Sequence, residues 1–384
     1  LSSLSIALFS FVLYIAFAHL LPKEVYGTYQ YLLSLAAIIG TFTLSGMNSA
    51  VAQAVARGFE GSYRASIRMQ LKWALLPLSA ALLGSGYYFV MGNMPLAMGL
   101  LLIGLTIPFT SAFNTYSIYL VGKRDFYRVF LYNLIVNISY YGSIIATAFF
   151  WKDATALLAA NLVVHAFMLW LMYRRTLIVH PPNSNADPET FTYGKHLSAM
   201  GIVGSVVGQL DNVLVFHYVG AVELAIYSFA TAIPDRAASL FKFVSLAGLP
   251  KFAEKSSEEI RTTIGPKLVK LTLVALFGAL IYMILAPYFF RLFFPQYLES
   301  VPYSALYALT MVTAAGNVAL SALLAQRRTR DLYALNIGTP IFSFALQFVG
   351  VVYFGLWGLV IGKTLSVLLN ALVSVAFLLL QRRV

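Results

Sequence analysis

Leu21-Pro22-Lys23-Glu24-Val25-Tyr26-Gly27-Thr28-Tyr29 is the stretch on which the fold turns, because the chain repeats its plan. Val219-Gly220-Ala221-Val222-Glu223-Leu224-Ala225-Ile226-Tyr227 comes 198 residues later. Each is a short polar hinge, then a small residue two places before a tyrosine, then another apolar helix. Two further pairs keep step. Lys123-Arg124-Asp125-Phe126-Tyr127 returns as Thr329-Arg330-Asp331-Leu332-Tyr333 after 206 residues, and Tyr173-Arg174-Arg175 returns as Gln381-Arg382-Arg383 after 208. An offset this steady divides the chain into two like halves.

Working outward from the hinges, about twelve apolar stretches of roughly 18–25 residues run the length of the chain, each long enough to cross a hydrocarbon core of about 30 Å. The basic residues fall in alternate gaps. Arg57, Arg64, Arg68 and Lys72 follow the second stretch, Lys123, Arg124 and Arg128 the fourth, and Arg174, Arg175 and Lys195 the sixth. Lys251, Lys255, Arg261, Lys267 and Lys270 follow the eighth, Arg327, Arg328 and Arg330 the tenth, and Arg382 and Arg383 the twelfth. These are 20 of the 26 Lys and Arg residues; the other gaps hold only Lys23, Lys152 and Arg291. A missed span would scramble that parity. The positive-inside rule then makes both termini and the basic gaps cytoplasmic in a multi-pass protein of the cell membrane. Six spans per half is an even number, so the halves share one orientation. Parallel repeats of this kind are a transporter signature with the substrate site between the halves. The sequence therefore predicts an all-α integral membrane fold: a first half over residues 1–177, a polar cytoplasmic linker over 178–195, and a second half over 196–384.

Composition excludes most other classes. The chain is 60% hydrophobic and 10% charged, against about 25% charged in soluble domains. Its formal charge of +12 sits in short loops on one side, which fits topology and anionic lipid headgroups better than nucleic acid. Cys is absent, so there is neither a disulfide nor a thiolate metal site. Residues 1–21 read as the first membrane helix rather than a secretory signal, since no basic segment precedes the apolar run. No Gly-rich phosphate loop, His/Glu metal spacing or ATP-binding domain is present. The reading is a non-enzyme without cofactor or metal, driven by a gradient.

Charge inside a span is costly and marks a protein interior or a wet cavity. Six residues qualify: His165, Asp211, Asp235, Arg236, Lys242 and Lys363. The eighth span is the richest. Ser228, Thr231, Asp235, Ser239, Lys242 and Ser245 follow three- and four-residue steps and so share one helical face. Pro234, just before the charges, removes a helix hydrogen bond and predicts a kink. Uncharged stripes recur elsewhere: Ser34, Thr41, Ser45 and Asn48 in the second span, Thr106, Thr110 and Asn114 in the fourth, Thr310, Thr313, Asn317 and Ser321 in the tenth. They suit either sugar binding or ordinary interhelical contact at about 1 kcal/mol each. His165 reads as a hydrogen-bonded packing residue, Asp211 as a proton site or the partner of a helix end or cation. The aromatic residues read as mainly lipid-facing or interfacial.

The two hinge segments, Leu249-Pro250-Lys251-Phe252 after the eighth span, and Phe354-Gly355-Leu356-Trp357-Gly358-Leu359 between the last two, resemble motifs of the oligosaccharide flippases. Those belong to the multidrug/oligosaccharidyl-lipid/polysaccharide exporter superfamily and have a MATE-like fold. The resemblance covers nearly the whole chain. It implies a substrate that is a polyprenyl-pyrophosphate-linked sugar, moved from the inner to the outer leaflet by alternating access. Membrane lipids and a polysaccharide polymerase or assembly protein are the further partners it suggests.

On that footing Arg236 and Lys242 are the candidates to hold the pyrophosphate, the first with a planar fork of donors and the second as a point charge. The alternative is an internal network in which Asp235 neutralises a basic neighbour. Lys363 adds a third cation or snorkels toward the outer face. Asp235, Ser239, Asn48, Asn114 and Asn317 complete the candidate set. Two other functions compete: a multidrug antiporter of the same superfamily and a non-transporting scaffold for a polysaccharide synthase. Exporters of organic cations need buried carboxylates, and the first-half spans contain none. A peptidoglycan-precursor flippase would carry about two more helices.

Overall fold

In a hydrocarbon layer every backbone N–H and C=O must be satisfied within the segment, so a chain this apolar has helices as its open choice. The computed structural model describes the backbone of residues 2–253, 257–326 and 328–380, and their side chains except at 2–7, 239–253, 257–263, 325 and 329. Among these residues twelve helical rods follow one another. The first is Ser2–Leu20, and the second is Lys23–Thr41 continued after a turn as Met47–Ala56. Then come Gly61–Val90, Met94–Gly122, Phe126–Phe150, Ala154–Val179 and Thr190–Tyr218. Ala221–Ala253, Ser257–Phe293 and Ser300–Leu324 follow. The last stretch, Arg330–Leu379, holds two rods. Gly355 turns the chain between them at φ 57° and ψ −140°. That turn lies inside Phe354–Leu359, the segment read as the junction of the last two helices. It also brings backbones together: a Cβ on Gly358 would sit 2.0 Å from the Gly350 carbonyl oxygen, a contact only glycine allows.

Side chains close the helix starts. Asn93 accepts from the Leu96 N–H at 3.3 Å, Asp125 from Arg128 N–H at 3.1 Å, and Asp153 from Ala156 N–H at 2.8 Å. Each such cap is worth about 1 kcal/mol.

The chain divides into two compact units, Leu1–Gln209 and Leu210–Val384. In the first, the second rod is broken at 42–46, where Leu44 adopts φ 61°. Non-helical backbone at membrane depth is tolerated where protein or a wet cavity receives it. Here Gly46 donates its N–H to Ser198 Oγ at 3.0 Å, and a Cβ at Gly46 would lie 2.4 Å from the Ser198 nitrogen. The seventh rod can approach because position 46 has no side chain.

The connection between the sixth and seventh rods is shorter than composition implied: helix runs to Val179 and resumes at Thr190, leaving 180–189. This connection is a strap bound to the first unit at its basic end. Asn185 O accepts from Gly61 N–H at 2.8 Å, Asp187 N–H donates to Ser62 Oγ at 2.9 Å, and Asn183 Nδ2 donates to Gly58 O at 3.0 Å. Arg57 pairs with Asp187, and Lys123 with Glu60 at 2.6 Å. The Lys123 ammonium beside Glu60 holds that carboxyl below its ordinary value. Arg128 pairs with Asp125, and His180 Nε2 lies 2.9 Å from Asp125 Oδ2. Partial burial raises the Asp125 pKa, but the hydrogen bonds from Arg128 and His180 outweigh it and bring the group down to about 2. Beneath the strap, Tyr63 and Tyr119 stack with ring centroids 4.4 Å apart.

Candidate functional site

The second unit gathers charge within its membrane helices. Asp211 belongs to the seventh rod, Tyr227 and Asp235 to the eighth, Tyr307 to the tenth and Lys363 to the twelfth. Lys363 Nζ pairs with Asp211 Oδ2 and lies 2.7 Å from the Tyr227 hydroxyl. Tyr227 donates to the same Asp211 oxygen at 2.6 Å, and the other oxygen accepts from Asn212 N–H at 2.9 Å. The Lys363 ammonium also stands 5.3 Å from the ring centroid of Tyr227 and 5.5 Å from that of Tyr307. Both contacts suit a cation facing aromatic rings. Tyr307 in turn donates to Asp235 Oδ1 at 2.8 Å. Side-chain exposure is 6% for Asp211 and 20% for Lys363. Asp211 is thus committed to the protein at both oxygens, while Asp235 is exposed and held by one hydroxyl.

The other expected residues divide by what their polar atoms do. Arg236 is half-buried beside Asp235 in a helix that continues through Pro234. Ser239 and Lys242 lie outside the described side chains, as does Ser245. Ser228 and Thr231 are buried, and Thr231 Oγ1 donates back to the Tyr227 carbonyl at 3.2 Å. The hydroxyls of Ser34, Thr41, Thr106, Thr110, Thr310, Thr313 and Ser321 likewise turn back on carbonyls of their own helices. That use is local and structural. The asparagines differ. Among the described residues, the side-chain amides of Asn48, Asn114 and Asn317 have no hydrogen-bond partner, and Asn48 Oδ1 is buried. His165 packs against Tyr140 with ring centroids 5.1 Å apart.

Two members of the charged cluster were not expected from sequence, Tyr227 and Tyr307. Many aromatics are exposed on the helix surfaces, as in Phe149, Phe150, Trp151, Tyr353 and Phe354, but the tyrosines Tyr26, Tyr29, Tyr63, Tyr116, Tyr119, Tyr227 and Tyr297 are among the most deeply buried side chains. A buried phenol needs a partner for its hydroxyl. Tyr227 has Asp211, Tyr116 has Asn133 at 2.7 Å, and Tyr29 accepts from Asn161 at 2.6 Å. The available signal was the recurrence of Tyr29 and Tyr227 at one repeat position.

These features define an all-helical, multi-pass membrane protein with a MATE-like fold. A family model described as polysaccharide biosynthesis protein matches residues 1–254, and the chain belongs to that family. Among solved structures, an inward-facing multidrug resistance MATE family transporter of the MOP superfamily is similar at TM-score 0.72 and 15% identity, over 97% of this chain and 93% of that one. The lipid II flippase MurJ in its inward closed conformation is similar at TM-score 0.70 and 13% identity, over 98% and 86%. A MOP superfamily transporter from Pyrococcus furiosus, described as having a binding pocket of reverse polarity, is similar at TM-score 0.58 and 15% identity, over 98% and 93%. At such identities the likeness is one of fold. A search of the curated proteins returned no significant match.

Proposed function

We propose that this protein flips a polyprenyl-pyrophosphate-linked oligosaccharide from the cytoplasmic to the outer leaflet of the cell membrane by alternating access, with its basic loops and both termini in the cytoplasm. The domain division proposed with it is a first half over 1–177, a linker over 178–195 and a second half over 196–384. The observation that carries the reading is the state of Asp211. An exporter of organic cations needs an open carboxylate. Asp211 is neutralised by Lys363 and hydrogen-bonded by Tyr227 and the Asn212 N–H, which among the described residues of the spans leaves Asp235 as the one open carboxylate, beside Arg236. The remaining intramembrane charge in the second half is one carboxylate, Asp235, against two cations in the same helix, Arg236 and Lys242. That balance suits an anionic head. The polysaccharide biosynthesis family supplies the sugar.

The test is leaflet-resolved transport of defined lipid-linked sugars in proteoliposomes. Arg236→Ala and Lys242→Ala should each lower transport by about 10–150-fold at equal membrane abundance, the value of a charge-assisted hydrogen bond of about 1.5–3 kcal/mol. Arg236→Lys should recover part of that loss, because charge survives and the bidentate fork does not. Normal transport by the double alanine variant, or transport of organic cations in place of lipid-linked sugars, overturns the assignment.

A further inference from the structure

The eleventh rod begins abnormally. Residues Ala334–Gly338 form a π-helical turn, a feature concentrated at functional sites. Thr339 Oγ1 donates to the Leu335 carbonyl within it. Beside this turn lies a cavity of about 250 Å³ between the last two rods, lined by Gly338, Thr339, Phe342, Ser366, Leu369 and Asn370 among others. Its polar side continues the face that carries Lys363. Lys363, Ser366, Asn370 and Ser374 follow one another at three- and four-residue steps and share that face. Ser366 is tied across to Ser343 at 2.8 Å, and Gln347 donates to Ser343 at 2.7 Å.

Asn370 is the exception on this face. Its side chain is exposed, and among the described residues its amide has no hydrogen-bond partner. It stands 14 residues from the start of the last rod at Leu356 and nine from its end at Leu379. At 1.5 Å per residue that is about 21 and 14 Å, close to the middle of the span, where no lipid headgroup reaches. An amide has two donors and one acceptor oxygen to satisfy, and hydrocarbon can satisfy none of them.

We infer that this groove is a binding site for an uncharged saccharide ring, the subsite that takes the sugar of the lipid-linked substrate. The inference rests on the function proposed above. A sugar ring offers hydroxyls at its rim and C–H groups on its faces. The groove offers it the Asn370 amide and the exposed ring of Phe342, while the Thr339 and Ser366 hydroxyls in its lining are already turned back on the Leu335 and Lys363 carbonyls. Among the described side chains lining it none is charged, so a phosphate has no reason to stop there. Asn370 is seven residues from Lys363 on the same face, about 10 Å along the helix. That is the length of one or two sugar rings measured from the charged cluster.

The chain lacks Cys, so single-cysteine variants need no background removal. In native vesicles, Asn370→Cys should react with a charged methanethiosulfonate reagent about tenfold or more faster than Leu372→Cys, because water is excluded from the lipid-facing surface. A polyprenyl pyrophosphate carrying an N-acetylglucosamine disaccharide should slow labelling at 370, and the bare carrier should not. Equal reactivity at 370 and 372 overturns the groove as a wet site, and equal protection by both carriers overturns it as a sugar site. Wild-type transport decides the parent reading separately. Transport with no protection at 370 sinks the subsite alone, and absence of lipid-linked sugar transport sinks the function proposed above.

Discussion

Tyr29 and Tyr227 hold the same place in the two repeats, and each is buried under a polar side chain from the last rod of its half. Over Tyr29 that side chain is Asn161, which also donates to the Tyr140 hydroxyl at 3.1 Å. Over Tyr227 it is Lys363, paired with Asp211. Asn161 and Lys363 are 202 residues apart, within the repeat offset. One arrangement therefore exists in a neutral and a charged version. Among the described residues, the ion pairs of the first unit named above are outside the spans, at the strap, where water shares the work. The second carries an ion pair within the membrane helices, where only protein groups can satisfy it. The difference teaches that a buried hydrogen-bonded tyrosine is common to both halves, whereas charge is a separate addition in one half.

The sharpest way to break this comparison is to remove one charge from the second version. Lys363→Met leaves Asp211 buried at 6% exposure with a phenol and an amide for company. Losing one partner of a buried pair typically costs about 3–5 kcal/mol, and partial exposure of Lys363 places the expectation at the low end. Thermal unfolding of the purified protein should show it. The double variant Asp211→Asn, Lys363→Met should recover most of the loss, because no charge is left unpaired. If the double variant is as unstable as the single one, the pair is a packing element and the charge is incidental.

A gentler comparison removes the neutral counterpart. Asn161→Leu strips the donor from Tyr29 and Tyr140 without leaving a charge. Hydrogen bonds between membrane helices average about 0.6 kcal/mol and reach about 1.7, so the expected loss is a fraction of that for Lys363→Met. A loss as large as that of Lys363→Met would mean that the neutral network, not the ion pair, is the costlier one to disturb.

How much of this was legible beforehand follows from what each feature depends on. The helix order, the break at Gly355 and the repeat were readable, because hydropathy, loop charge and a glycine in a turn are local signals. The pairing of Asp211 with Lys363 was not, since the residues are 152 positions apart and each alone is only a charge in a span. The strap was missed for the same reason. Arg57 and Asp187 are 130 residues apart, and a polar segment rich in Pro and Asn reads as a free loop. Asn370 escaped because a lone amide gains meaning only when its neighbours are seen to leave it unpaired.

The smallest expected effect tests the other side of the comparison, that the first unit's charges are cheap because they are outside the spans. Asp125 lies at the strap, where burial is the largest single influence and raises its carboxyl, but the hydrogen bonds and charge of Arg128 and His180 together outweigh it and lower the group from the ordinary 3.8 to about 2. A depressed carboxyl contributes stability that is fully present above the unfolded-state value and is lost as pH falls through the folded one. Asp125→Asn keeps a good helix cap, since Asn accepts the Arg128 N–H as Asp does, but replaces the charged Oδ2 that holds Arg128 and His180 with an amide nitrogen that cannot accept from them. The variant should therefore unfold at a slightly lower temperature than the wild type by a constant margin above about pH 5. The margin should close between about pH 4 and pH 2 as the wild-type carboxyl takes up its proton. Thermal scans of both proteins across that range measure it. A margin that is unchanged at pH 2, or one that matches the loss at Lys363, would mean that the strap's ion pairs are as deeply committed as the one in the membrane.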